Sequence, residues 1–346
     1  MRRHTTSNIH DEPPMTEAFP TIDATPLLDP TSSPAQRTKT ARQIDAACTT
    51  IGFFAVTGHN VPDQVIADLY TASYGFFDLP TDQKLRVRRP RPEQNRGYIP
   101  PGDETLARLA GRETPPDRKE LFAIGPFDLP DEPYFTGPAA YPNLAPNLWP
   151  DRPATLRPAM QAYWRALERL ARALCAGYAT ALGLPTDYFA ASIDRHASQL
   201  RLMHYPAPSE PPLPGQLRAG EHTDLGMMTL LYSDNAVGGL QVKRRDGRWI
   251  DAPVTPGTFV VNIGDMMMRW TNDRWVSTPH RVVNPPPGAE ALSRRLSVGM
   301  FFIPNYDAEI ACIETCRVPG EPPRYAPISV AAYRTARFAR TAGAAA

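Results

Sequence analysis

Arg295-Leu296-Ser297-Val298-Gly299-Met300-Phe301-Phe302 reads as a strand with two unlike faces. Successive side chains of a strand point to opposite sides. One side carries Leu296, Val298, Met300 and Phe302 and is wholly apolar; the other carries Arg295, Ser297, Gly299 and Phe301. The apolar side is expected to pack on helices, which turns the other side toward an enclosed pocket. A guanidinium and a hydroxyl then share one spot inside. A buried Arg requires an anion, and its planar fork matches a carboxylate.

Around this stretch the chain divides into two halves. From residue 199 onward, short β-type runs are separated by Gly, Pro, Asn and Asp: Gln199–Tyr205, Met227–Tyr232, Leu240–Lys243, Thr258–Ile263, His280–Val283 and Leu296–Ile303. The first half is helical by its spacing. A helix from Pro34 to Ile51 places Ala41, Ile44, Cys48 and Ile51 on one face, with Gly52 as its stop. A second starts at Val61-Pro62-Asp63 and ends at Leu79-Pro80, and Phe53–Val56 between them reads as a buried strand. The third, Ala159–Leu182, repeats Met160, Tyr163, Leu167, Leu170, Leu174, Tyr178 and Leu182 at spacings of three and four. Nine prolines between residues 126 and 158 argue against any regular helix or central strand there. The pattern predicts an α+β chain with a mainly β core, a barrel or jelly roll flanked by helices from the N-terminal half. The expected division is a disordered N-terminus over 1–17, an N-terminal helix and strand region over 18–125, the proline-rich connection over 126–158, a long helix with the β core over 159–310, and a C-terminal extension over 311–346. Met15 is an alternative translation start to Met1.

Composition removes several classes of function. The 346 residues hold 37 Lys+Arg against 36 Asp+Glu, a net charge of +1, which leaves no electrostatic case for nucleic acid or an anionic membrane surface. No run approaches the roughly 20 apolar residues of a membrane helix, and no apolar segment follows the basic N-terminus as a secretory signal requires. Four scattered cysteines (Cys48, Cys175, Cys312 and Cys316) suit free thiols in a reducing cytoplasm rather than a disulfide scaffold. A small-molecule partner remains, with a monomer or weak homo-oligomer expected.

Three residues have metal-ligand chemistry. His222-Thr223-Asp224 precedes a strand, so its i and i+2 side chains can aim into one pocket, and His280 lies on a later strand. Two His and one carboxylate leave positions open on the far side of a metal, which suits non-haem Fe(II) and O2. A chance H-x-D with a core histidine is the bland alternative, and a hydrolytic zinc site with the same ligands is another. Arg295 and Ser297 on an inward face favour a centre that binds an organic anion. Tyr205 shares its face with Met203 and Arg201, so its phenol can join the same carboxylate.

At this point the sequence resembles the isopenicillin-N-synthase-like group of Fe(II)/2-oxoglutarate-dependent oxygenases. The resemblance runs from about Phe19 to Tyr306. It covers Gly52-Phe53-Phe54-Ala55-Val56-Thr57-Gly58-His59, Phe76-Phe77-Asp78-Leu79-Pro80, Arg96-Gly97-Tyr98 and Lys119-Glu120-Leu121-Phe122. In the core it covers Gly238-Gly239-Leu240-Gln241-Val242, Val261-Asn262-Ile263-Gly264-Asp265-Met266, Trp270-Thr271-Asn272, Ser277-Thr278-Pro279-His280-Arg281-Val282 and Pro304-Asn305-Tyr306. It implies a double-stranded β-helix, iron on His222, Asp224 and His280, and 2-oxoglutarate with its far carboxylate on Arg295 and Ser297, with Tyr205 adjoining. Many relatives have Asn where this chain has Met203, and Gly where it has Asp273.

The implied reaction consumes 2-oxoglutarate and O2 and hydroxylates, desaturates or cyclises a small molecule, in bacterial secondary metabolism of the antibiotic type. Halogenating relatives lack the carboxylate ligand, and Asp224 is present. An oxidase that uses Fe(II) and O2 without 2-oxoglutarate is one alternative, and a non-catalytic jelly-roll binder is another. Tyr98, Arg201, Met203, Met268 and Phe301 are the expected substrate contacts. The loop Pro206–Ala219 has five prolines and is expected to border the pocket as a lid, offering Leu213, Leu217 and Arg218.

Overall fold

A computed structural model describes residues 19–234 and 237–342. The disorder expected over 1–17 and the Met15 start lie outside the described residues. The strands that build the core are β1 (Thr21–Asp23), β2 (Phe53–Thr57), β3 (Gly97–Ile99), β4 (Glu120–Ile124), β5 (Gln199–Tyr205), β6 (Ala219–His222), β7 (Met228–Ser233), β8 (Leu240–Lys243), β9 (Trp249–Asp251), β10 (Phe259–Ile263), β11 (His280–Val282) and β12 (Arg295–Phe302). A large sheet has the order β1-β2-β10-β7-β12-β5-β4-β3, and a smaller one the order β6-β11-β8-β9. The two enclose a cavity lined from both, a jelly roll in which the chain from β5 onward passes back and forth between the sheets, with β8 and β9 paired in the smaller one.

The two-faced reading of residues 295–302 describes the large sheet as a whole. Leu296, Val298, Met300 and Phe302 are fully buried in one cluster with Leu200 and Leu202 of β5, Leu230 of β7 and Val261 of β10. The same cluster holds Leu167, Leu170, Leu174 and Tyr178 of the long helix. Each such aliphatic side chain removed from water contributes about 1.5–3 kcal/mol. On the opposite face the antiparallel register sets Arg295 against Tyr205, Ser297 against Met203, Gly299 against Arg201 and Phe301 against Gln199.

Local chemistry sets the helix ends. Ser33 and Gln36 form a reciprocal cap around Pro34, so a helix runs Pro34–Thr50. It ends before Gly52, whose φ of +69° and approach to the Val276 carbonyl leave no room for a Cβ. The second helix is Asp63–Phe77. The long helix is Leu156–Ala181, three residues earlier at its start than the sequence pattern predicts. Pro158 does not exclude it, because first-turn N–H groups have no intrahelical acceptor to lose. Helical turns at Pro133–Thr136 and Pro138–Ala140 also interrupt the proline-rich connection.

Three elements that place site residues have no counterpart in the sequence reading: β6, the helix Asp265–Trp270, and a C-terminal helix Val330–Ala342. All four cysteines are free thiols. Among the described residues, no helix is long and apolar enough to cross a membrane.

Candidate metal centre and its cavity

His222 ends β6 and His280 begins β11, and the register of this antiparallel pair sets them directly opposite each other. Their rings lie 4.3 Å apart, centroid to centroid. Asp224 is not on an extended strand as expected. It sits in the loop between β6 and β7, so alternation along a strand does not aim it; the loop's own hydrogen bonds do. Asp265 N–H donates to the Asp224 carbonyl at 2.7 Å, Met227 N–H to the Phe302 carbonyl at 2.9 Å, and Gly264 N–H to the Met227 carbonyl at 3.0 Å. A Cβ on Gly226 would strike the Phe302 carbonyl, and one on Gly264 the Gly226 carbonyl, so small residues let these segments close.

The donor atoms converge. One ligand atom from each of His222, Asp224 and His280 lies within 4.8 Å of the other two. Asp224 Oδ1 is 3.8 Å from His222 Nε2 and 3.7 Å from His280 Nε2. The remaining polar atoms are all engaged elsewhere. His222 Nδ1 faces the Gly220 carbonyl at 2.7 Å and His280 Nδ1 the Thr278 carbonyl at 3.1 Å, which places each ring proton on Nδ1 and a lone pair on Nε2. Asp224 Oδ2 accepts from Thr229 Oγ1 at 2.6 Å and Asn262 Nδ2 at 2.8 Å, leaving Oδ1 toward the imidazoles. Two neutral nitrogens and one carboxylate oxygen, each braced from behind, fit a divalent transition metal with an open face.

Electrostatics agree with that donor set. Burial, reinforced by the facing His280, holds His222 far down at about 3, so its Nε2 is unprotonated at neutral pH. Burial alone would raise Asp224, but the two imidazoles and its two hydrogen-bond donors outweigh it and the carboxyl is lowered. Behind the loop, Asp265 accepts from Ser277 Oγ at 2.6 Å and pairs with Arg337 of the C-terminal helix. Arg337 also donates to the Thr223 carbonyl at 3.0 Å and hydroxyl at 2.8 Å, gripping the residue between the two ligands.

The centre opens into a cavity of about 540 Å³. Arg295, Ser297 and Tyr205 line it, as do Arg201, Met203 and Phe301. Arg295 is almost wholly buried; its Nε donates to Ser297 Oγ at 3.3 Å and Nη1 to the Gly238 carbonyl at 3.4 Å. Tyr98 and Met268 are corrections to the expected contacts. Tyr98 pairs in register with Phe122, which pairs with Leu202, so it belongs to the helix-facing side, and its hydroxyl donates to Glu120 at 2.6 Å. Met268 lies on the Asp265–Trp270 helix, where its sulfur accepts the Ser277 N–H at 3.4 Å.

The expected lid is a further correction. No residue of 206–218 lines the cavity: Leu213 is 58% exposed, and Arg218 is buried against Ser293 and the Val237 carbonyl. The segment 89–109 and the C-terminal helix, through Arg334 and Arg337, stand at the cavity instead. Asn262 and Thr229, the braces of Asp224, fall outside the sequence reading, although a lone Asn inside the apolar Phe259–Ile263 run is a visible signal.

Comparison with known proteins agrees with this geometry. Residues 19–152 match the family described as non-haem dioxygenase in morphine synthesis N-terminal, and residues 196–304 match the 2OG-Fe(II) oxygenase superfamily. A homoarginine-6-hydroxylase of Oryza sativa subsp. japonica is 33% identical over 311 residues, covering 87% of this chain and 90% of that protein. A validamycin A dioxygenase of Streptomyces hygroscopicus subsp. limoneus is 34% identical over 280 residues, covering 79% and 74%. The crystal structure of a full-length Neurospora crassa protein in complex with alpha-KG and thymine superposes with a TM-score of 0.80 at 33% identity, covering 93% of this chain and 96% of that one.

Proposed function

The chain belongs to the 2OG-Fe(II) oxygenase superfamily and is a 2-oxoglutarate-dependent dioxygenase, and on that premise we propose that it hydroxylates a small organic molecule at an unactivated C–H bond. Fe(II), 2-oxoglutarate and O2 are its cofactor set. In this reading His222 Nε2, His280 Nε2 and Asp224 Oδ1 hold the metal from one side. The side toward the cavity is left to 2-oxoglutarate and O2. Bound iron with 2-oxoglutarate supplies O2 activation coupled to oxidative decarboxylation of the cosubstrate.

The chain's own residues supply orientation. Asn262 and Thr229 keep Asp224 from turning its second oxygen to the metal. Arg295 and Ser297 receive the far carboxylate of 2-oxoglutarate, with Tyr205 opposite Arg295 in the strand ladder. Leu231, Leu240 and Val282 wall the cavity with apolar surface, which excludes water from the charges there. The likeness to the Streptomyces validamycin A dioxygenase supports a place in secondary metabolism of the antibiotic type.

One observation carries the reading: three converging ligand atoms share a cavity with a buried arginine and hydroxyl on the facing sheet. The test is succinate formation from 2-oxoglutarate under air, with and without Fe(II). We expect succinate only with iron, and none from Asp224→Ala. Iron-independent succinate, or an unimpaired Asp224→Ala variant, refutes the reading.

A further inference from the structure

Seven cationic residues line the cavity against four carboxylates. A divalent metal and the dianion 2-oxoglutarate cancel each other, so loading the centre leaves that excess in place. Some of it is locally matched. Arg337 pairs with Asp265, Arg108 with the exposed Glu113, and Arg295 is assigned above to 2-oxoglutarate. On the acidic side, Asp103 pairs with Arg88 at 2.7 Å, and Glu93 accepts from the exposed Tyr141 hydroxyl.

Three further cations form a second wall, built by three separate parts of the chain. Arg89 comes from the segment after the Thr81–Leu85 helix, Arg201 from β5 and Arg334 from the C-terminal helix. Their partners include many neutral oxygens. Arg89 donates to the carbonyls of Pro92 and Asp103. Arg334 donates to the Asn143 side chain at 2.8 Å and the Glu93 carbonyl at 3.3 Å. Arg201 donates to the amide oxygen of Gln199 at 3.3 and 3.2 Å, and its guanidinium lies over the Phe301 ring at 5.0 Å. Its carboxylate neighbour, Glu104, is 3.5 Å away and also pairs with Lys119 at 2.8 Å, which has Asp117 as a second partner at 2.9 Å; among the described residues, that leaves one carboxylate for the three arginines of the wall.

These charges feel one another. Burial pushes Arg96, just behind the wall, down to about 9, and the positive charges of Arg334 and Arg201 add to that push. Burial likewise lowers Arg334 to about 10, with Arg201 contributing. Like charges gathered beside a cavity at this cost are relieved by an anion. The wall is also distinct from the Arg295 end: Arg201 stands four residues from Tyr205 along β5, about 13 Å by strand rise. The same cavity is also lined by Leu106, Met203, Leu225 and Phe301, apolar surface shared with the arginines and the metal ligands.

We propose that the main substrate is a monocarboxylic acid with an apolar carbon skeleton, its carboxylate held by Arg201 with Arg89 and Arg334, and its skeleton lying over Met203 and Phe301 toward His222, Asp224 and His280. The inference rests on the oxygenase reading for the position of the reacting carbon, but the carboxylate site itself is tested without turnover.

The probes are aliphatic and aromatic monocarboxylic acids of about six to twelve carbons, each beside its primary amide, which keeps the shape and loses the charge. Binding is measured by calorimetry on the full chain loaded with Mn(II) and saturated with 2-oxoglutarate, so that the Arg295 end is occupied. At least one acid is expected to bind about tenfold or more tightly than its amide, the scale of a charge-assisted contact. Arg201→Gln is expected to abolish that preference while the affinity for 2-oxoglutarate changes less than about twofold. Arg334→Gln serves as a second variant, and melting curves establish that each is folded. A panel in which no acid outbinds its amide overturns the proposal, as does a preference that survives both variants. If the wild-type chain fails to bind Mn(II) and 2-oxoglutarate, the oxygenase reading fails, and the acid–amide comparison on the metal-free chain still decides the carboxylate site.

Discussion

Replacing Asn262 with Leu removes one of the two hydrogen bonds that aim Asp224 and keeps the side chain's branching at Cγ. In the structure Asn262 Nδ2 and Thr229 Oγ1 donate to the same oxygen, Asp224 Oδ2, at 2.8 and 2.6 Å, and all three residues are buried. A hydrogen bond to a charged group is worth about 1.5–3 kcal/mol. Thr229 still anchors the carboxylate in the variant, so we expect the lower end, about 1.5 kcal/mol, or roughly tenfold weaker metal binding. That agrees with the roughly 10–100-fold range for groups behind metal ligands. Adding Thr229→Val frees the carboxylate to turn, so the pair is expected to cost more than the two single changes together, about a hundredfold or more. The assay is an anaerobic Fe(II) or Mn(II) titration against a chromophoric chelator, beside melting curves of the metal-free chain. Leu suits the apolar neighbours of position 262, so the melting temperature is expected to move little while metal affinity falls. Metal binding equal to wild type in both single variants refutes the reasoning, and so does a loss of affinity matched by loss of the fold.

Arg295→Leu is expected to weaken 2-oxoglutarate binding by about 1.5–3 kcal/mol, ten- to more than a hundredfold, read as the 2-oxoglutarate dependence of succinate formation; an unchanged dependence rules out its role. Glu104, despite burial, is held down at about 2 by Lys119 and Arg201. Its depressed value means that it stabilises the fold fully above the ordinary carboxyl range and loses that contribution as pH falls toward 2. Glu104→Gln should therefore cost on the order of 3 kcal/mol at about pH 7 and less than half of that near pH 3, by urea unfolding; a pH-independent difference contradicts the assignment. Arg337→Gln releases Thr223 and Asp265 together and is expected to lower metal affinity about tenfold. Affinity equal to wild type would show that the C-terminal helix does not support the centre.

The parts of this molecule that are legible in the sequence are those where a long element repeats its pattern. Eight residues of β12 alternate without a fault, so both faces, and with them Arg295 and Ser297, follow from periodicity alone. The long helix is equally plain, and only its start differs, because a first turn tolerates Pro158. Three-residue strands carry no such signal. Gly97-Tyr98-Ile99 has no readable phase, and Tyr98 falls on the face opposite to the expected one because the partner that fixes it, Phe122, lies across a ladder formed only in the folded chain. The H-x-D shows a subtler difference. Its spacing brings the pair to notice, but strand alternation is the wrong geometric reason, since Asp224 is aimed by a loop stapled to residues 264–266 and to the end of β12.

The same contrast between ladder and loop runs through the cavity. Its metal end is framed by strand pairing, in which a one-residue slip would separate His222 from His280. Its cationic wall hangs instead on the segment 89–109, one strand and the C-terminal helix, the first and last of these more than 200 residues apart in sequence and joined by contacts such as Arg334 to the Glu93 carbonyl. Loops and a terminal helix tolerate change that a sheet does not, because their hydrogen bonds are not shared along a ladder. Substrate preference can therefore be altered at positions 89, 106 or 334 without moving the metal ligands. Arg337 is the exception that couples the two, since the same helix that carries Arg334 grips Thr223 between the ligands. Undocking that helix removes a wall of the substrate site and a brace of the metal centre in one motion, so loss of the helix is expected to impair both together, whereas a change at Arg201 should impair the substrate site alone.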